Sequence, residues 1–284
     1  MKNLVITGVC AAIVSSSVQA SLLHDNGGFV TNPTGGTSSI AGQPISQCDP
    51  FYFPNNPFGF STTGVGAAAS LDNALADDFT VTGQGWNLDS LTVYAFQTSQ
   101  TSASVTSVRI NLWNAAPYNA GSPGTLPNPL PQPLFANDLV LPAGTGTFIA
   151  HRQSPTGTAT NRPVFAYTVS LDGLPDQGQL APGNYWIEWS FDGPTTPSAF
   201  IYTPLVTPRT QTDDWNARQY SSLSGQPADP RVWFEGREGY QSELVPGRAF
   251  ELPFILNGTL LPEPGALSLI GLTMMVGSRR RRSK

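Results

Sequence analysis

Tyr185-Trp186-Ile187-Glu188-Trp189-Ser190-Phe191 alternates without a break. In an extended chain successive side chains point to opposite faces, so Tyr185, Ile187, Trp189 and Phe191 share one side and Trp186, Glu188 and Ser190 the other. Large apolar groups at every second position predict a strand with one face in a core. Leu180-Ala181-Pro182-Gly183-Asn184 just before it reads as the turn that feeds the strand.

The same period recurs outward along the chain. Leu91, Val93 and Ala95 share one face of residues 88–98, and Val108, Ile110 and Leu112 share one face of 105–113. Phe165, Tyr167, Val169 and Leu171 repeat the pattern in 163–171, and Phe250, Leu252, Phe254 and Leu256 close the set. Between these stretches Gly and Pro (28 and 26 in the chain) break the backbone, and no helical period emerges between residues 21 and 261. The expectation is an all-β fold, an antiparallel β-sandwich of jelly-roll type. The sandwich domain is expected over 71–260. Residues 21–70, rich in Gly, Pro and Ser and poor in strand pattern, are expected either to wrap it or to be partly mobile. Residues 114–134 are too Pro-rich for a central strand and read as a long extended loop.

The two ends read as addresses. Lys2 precedes an apolar core from Leu4 to Val14, and Val18-Gln19-Ala20 offers small residues at a cleavage site. Residues 1–20 are therefore expected to be a signal peptide, a helix cut after Ala20 once the secretion translocon and signal peptidase have acted. At the other end, over 261–284, Pro262-Glu263-Pro264 leads into an uncharged run from Gly265 to Ser278, which Arg279, Arg280, Arg281 and Arg282 close. A helix over that run reaches only ~21 Å at ~1.5 Å per residue. That is short of the ~30 Å hydrocarbon core, so it is a marginal transmembrane span whose arginines stay on the cytoplasmic side. A sortase signal would need Thr where Pro264 stands, and a GPI signal has no basic cluster at its end.

This three-part tail resembles the PEP-CTERM sorting signal of Gram-negative bacteria. Family members pair Pro-Glu-Pro with a hydrophobic helix and an Arg-rich end, and an exosortase in the membrane is thought to process them. Parts of the body are also similar to one class of PEP-CTERM proteins: Ala76-Asp77-Asp78-Phe79-Thr80-Val81, Val108-Arg109-Ile110-Asn111-Leu112-Trp113-Asn114 and Pro182-Gly183-Asn184-Tyr185-Trp186-Ile187. The resemblance implies export, transient anchoring by the tail helix, and release to the cell surface or outside. It carries over no catalytic residue.

Charge narrows the partners. Between residues 21 and 261 eight arginines face eighteen acidic residues, a net of −10, and no lysine occurs there. Nucleic acid is excluded as a partner, because phosphate neutralisation needs clustered Lys and Arg. Cys10 leaves with the signal peptide, so Cys48 is alone in the expected mature chain and reads as a structural thiol.

No residue pattern stands out as catalytic. There is no GxSxG, no HExxH and no Gly-rich phosphate loop between a strand and a helix. His151-Arg152 reads as a surface strand end. Asp77 and Asp78 point to opposite faces if extended, so they cannot by themselves make a general acid–base pair. Trp186 and Glu188 share a strand face and are the candidate glycan contact, although the plainer reading is an outward Glu188 in solvent. His24-Asp25 and Asp77-Asp78 could lend oxygens to calcium, and Asp213-Asp214 in a loop is the better candidate for a structural calcium. No other cofactor is expected. The expectation is a non-enzymatic surface or matrix protein that associates with exopolysaccharide or biofilm. The alternative is a secreted carbohydrate-binding module or weak glycan hydrolase on the same scaffold.

Overall fold

The computed structural model describes residues 20–35, 42–47, 64–117, 133–142, 144–153, 160–174, 178–206, 216–221, 234–235 and 250–262. Within them the protein is all-β, with no α-helix and a short 3-10 turn at Ala69–Leu71. No helix among the described residues is long and apolar enough to cross a membrane. The expected signal helix and the expected helix at 265–278 lie outside those residues, as do Cys48, Asp213 and Asp214, Glu263 and Pro264, and the four arginines of the tail.

Two large sheets carry the fold. In the seven-stranded sheet, β1 (Ser21–Asp25), β15 (Phe254–Leu260), β5 (Trp86–Ala95), β9 (Pro163–Ser170), β8 (Thr147–Gln153) and β2 (Ile45–Gln47) lie in that order. The short β10 (Gln179–Leu180) also pairs with β5. The six-stranded sheet runs β14 (Phe234–Glu235), β13 (Arg218–Ser221), β4 (Asn73–Val81), β11 (Gly183–Asp192), β6 (Ser107–Trp113) and β7 (Phe135–Val140). A two-stranded ribbon joins β3 (Val65–Gly66) to β12 (Tyr202–Thr203).

The alternation read along the chain is the register of the core. Tyr185, Ile187, Trp189 and Phe191 on β11 pack in one cluster with Val108, Ile110 and Leu112 on β6 and with Leu75, Phe79 and Val81 on β4. Leu91, Val93 and Ala95 on β5, Phe165, Tyr167 and Val169 on β9, and Phe254 and Leu256 on β15 enter the same cluster from the other sheet. Trp189 is fully buried, its ring 5.9 Å from that of Phe254 across the two sheets. Each such aromatic removes on the order of 150–250 Å² from water, which is why the strands with most aromatic residues sit at the centre.

Three expectations change. The described part of residues 21–70 holds three strands, and β1 is a full edge strand on β15 (Ser21↔Gly258, Asp25↔Ile255). These strands are short and lie at edges or in the small ribbon, so they carry too few apolar positions to show a period. The pairing is not antiparallel throughout, because β2 pairs with β8 in parallel (Ile45↔His151). The chain reaches β2 by crossing the outer face of the seven-stranded sheet from one edge to the other. Phe29 and Val30 on that crossing cover Phe96, Ala150, Val164 and Tyr94, and Phe29 meets Tyr94 edge-on at 4.9 Å. Finally, Arg152 is not at the surface. It is buried within β8 and donates from Nη1 to Ser46 Oγ at 2.7 Å, whereas His151 beside it is half-buried and bonds Gln43.

Candidate functional site

The outer face of β11 departs from the sequence reading. Trp186 is 7 % exposed and Glu188 4 %. Glu188 is not an outward, solvated acid: Trp113 Nε1 donates to its Oε2 at 3.0 Å. Trp186 packs with Ala74, Ala76 and Tyr220, and the Arg218 guanidinium lies 4.8 Å above its ring. Arg218 also donates to the Pro117 carbonyl, which closes the patch. The two share a face as expected, but neither presents a surface on which a sugar ring could stack. The residues that cover them come from β4, β6 and β13, which the alternation of β11 alone cannot reveal.

The chemically distinctive group lies on the inner side of β4. Leu75, Asp77, Phe79 and Val81 occupy successive inward positions, so register forces a carboxyl into the core opposite Ile187. Asp77 is 0 % exposed, and Asp78, on the other face, is half-buried. Asp77 meets Glu251, 3 % exposed, and Asn26, 7 % exposed, which come from the far sheet. Asn26 directly follows β1, and its backbone N–H extends the ladder to Phe254 O at 3.0 Å. Glu251 lies just before β15, where Val206 N donates to its carbonyl and Ala217 N to that of Phe250.

Hydrogen bonds converge tightly here. Asn26 Nδ2 points at three oxygens: Asp77 Oδ2 at 2.9 Å, Glu251 Oε2 at 3.1 Å and Leu252 O at 3.0 Å. Leu252 N donates to Asp77 Oδ2 at 2.8 Å, and Asp78 N donates to Asp77 Oδ1 at 3.0 Å. Asn216 N, near the start of β13, donates to Glu251 Oε1 at 2.6 Å. His24 on β1 bonds Asn26 Oδ1 at 3.2 Å, and its ring lies 5.1 Å from Phe254 and 6.0 Å from Phe79.

Burial pushes the Asp77 carboxyl well above the ordinary carboxylate range, and the neighbouring Glu251 raises it further. Burial also raises Glu251, while hydrogen bonds from Asp77, Asn216 and Asn26 pull it back down. Both shifts favour keeping one proton between the two carboxyls over two charges. Two carboxylates in contact cannot both ionise without water.

Carboxylate oxygens of Asp77, Asp78 and Glu251 fall within 4.8 Å of one another, the geometry that would invite a cation. The donor set does not fit one. The Asn26 amide and the Leu252 N–H already aim their positive ends at the inner oxygens, where a metal would have to sit. A shared proton satisfies the same charges without displacing those donors.

Sequence reading noticed Asp77 and Asp78 but not their partner. Glu251 and Asn26 carry no local motif. The available signal was that Asp77 interrupts an inward row of Leu75, Phe79 and Val81. An acid in a core row needs a partner, and only the fold names it. The fold and this group define an all-β protein of two large sheets, clasped by a buried carboxyl pair. No family model, curated protein or solved structure matches the chain.

Proposed function

We propose that the protein is an exported surface or extracellular-matrix protein of the PEP-CTERM type, sorted and processed by an exosortase. Its body is a β-sandwich of jelly-roll type that associates with exopolysaccharide and performs no catalysis. One observation carries most weight beside the tail motif. The first strand starts at Ser21, the residue after the expected signal cleavage, and the last ends at Leu260, just ahead of Pro262-Glu263-Pro264. Every described strand thus lies in the stretch that both cuts would leave intact. Because β1 and β15 are antiparallel neighbours, with Ser21 opposite Gly258, the two junctions emerge side by side at one end of one strand pair. Trimming at that corner removes the addresses without touching the core.

Two features support a structural rather than catalytic role. The most perturbed carboxyls are spent on joining the sheets, and the pair Trp186 and Glu188 is packed under neighbouring strands. The test is the intact mass of the protein from its host's envelope and culture medium. The expected species starts at Ser21 and ends between Pro262 and Gly265, with or without added glycan mass. A species that still carries Arg279–Lys284 in both fractions overturns the sorting account.

A further inference from the structure

The geometry points to a proton-held latch. Asn26, Asp77 and Glu251 tie β1 and β15 of one sheet to β4 of the other while the two carboxyls share one proton, and they let the sheets' edge part when that proton leaves.

The case starts from who faces whom. From β1 come His24, through Asn26 Oδ1, and Asn26 itself. From β4 comes Asp78, whose negative charge opposes ionisation of both members of the pair. From β11 the neighbour is apolar Ile187, and from β15 it is Phe254, against which the His24 ring lies. Among the described residues, the segment before β13 offers the Asn216 N–H, and Arg218 lies over Trp186 on the opposite face. Among the described residues no cationic side chain pairs with either carboxylate. The Asn26 amide has two hydrogens for three acceptors, so it cannot balance a second negative charge.

The sign follows from linkage. The folded protein holds its proton above the ordinary carboxylate range of about 4, where the unfolded chain has already lost it. The latch therefore contributes fully at acid pH. Its contribution falls as pH rises from that range through the raised value of the pair. Ionisation leaves two buried charges in contact, and the least costly relief is separation of the strands that bring them together. β1 moves first, because it is an edge strand held on one side only by β15.

The experiment uses the full chain and follows two readouts from about pH 5 to pH 9. They are the thermal midpoint and the hydrogen exchange of the Asn26, Leu252 and β1 amides. The wild type should lose at least roughly 2–4 °C across that range, with exchange at β1 and Leu252 rising in step. Glu251→Gln and Asp77→Asn each replace one carboxyl by an amide of the same shape; Asp77→Asn should flatten the slope, and Glu251→Gln, which leaves Asp77 buried, should reduce it, while the remaining acidic surface is unchanged. Infrared spectra of the wild type at neutral pH should show a protonated-carboxyl band that Asp77→Asn loses, and the wild-type band itself keeps the idea testable even where a variant fails to fold. Equal slopes in all three proteins, or no such band in the wild type, overturn the latch. So does calcium that saturably raises the wild-type midpoint at neutral pH but not that of the variants, since a cation would then stand where the proton is placed.

Discussion

Single side chains decide most at the junction of the two sheets. Asn26→Asp would set a third carboxyl against Asp77 and Glu251 and remove the side-chain amide that bridges them. An uncompensated buried charge of this kind costs about 3–5 kcal/mol. Denaturant unfolding of this variant should show that loss at neutral pH, and partial recovery at acid pH as the added carboxyl protonates. On the other face of β4 and β11, Glu188→Ala strands the Trp113 indole N–H, and a drop of about 1–3 kcal/mol is expected. Glu188→Gln retains an acceptor for that indole and should stay within about 1 kcal/mol of the parent. A glycan-contact role for Glu188 would instead leave stability unchanged in both and alter only retention on polysaccharide. The sequence placed Glu188 on the correct strand and beside the correct tryptophan. Its solvent exposure was not legible, because burial of an outward face depends on Trp113 and the Pro117 region folding over it from elsewhere in the chain.

At the level of strands, the alternating apolar rows were legible because each inward face repeats at a fixed period and is long enough to count. The inward rows of β6, β9 and β11 came through residue by residue, and that of β5 from Leu91 to Ala95 but not at Trp86 and Leu88; all of them enter the one central cluster. The edge strands did not, since β2 has three residues and β3 two. In β15 the ladder to β5 carries an irregularity between Asn257 and Gly258, and a Cβ at Gly258 would run into the Asn87 carbonyl. Gly258→Ala should therefore cost about 1–3 kcal/mol and loosen the β15–β5 ladder, which hydrogen exchange at Asn87 and Thr259 would report. Leu256→Ala, a fully buried residue earlier on the same strand, should cost about 2–5 kcal/mol through the cavity it leaves while keeping the register intact. The contrast between lost register and lost volume tests whether the bulge or the core holds β15 in place.

For the whole molecule, the described strands begin at Ser21 and finish at Leu260, so a chain of residues 21–261 should fold with the same β spectrum and one cooperative transition. Loss of that transition would mean that the ends contribute to the fold rather than address it. By itself the sequence determined the class of structure, the inward row of each long strand, the acidic and lysine-free body, and the two terminal segments set apart from it. Those are properties of period and composition, and they are local. Only the tertiary structure decided that Asp77 faces Glu251 and Asn26 across two sheets, that β1 caps the edge beside β15, and that Trp186 and Glu188 lie under a cover. Each of these brings together residues far apart along the chain. No periodicity marks such pairs, because an inward acid looks the same in sequence whatever partner the opposite sheet supplies.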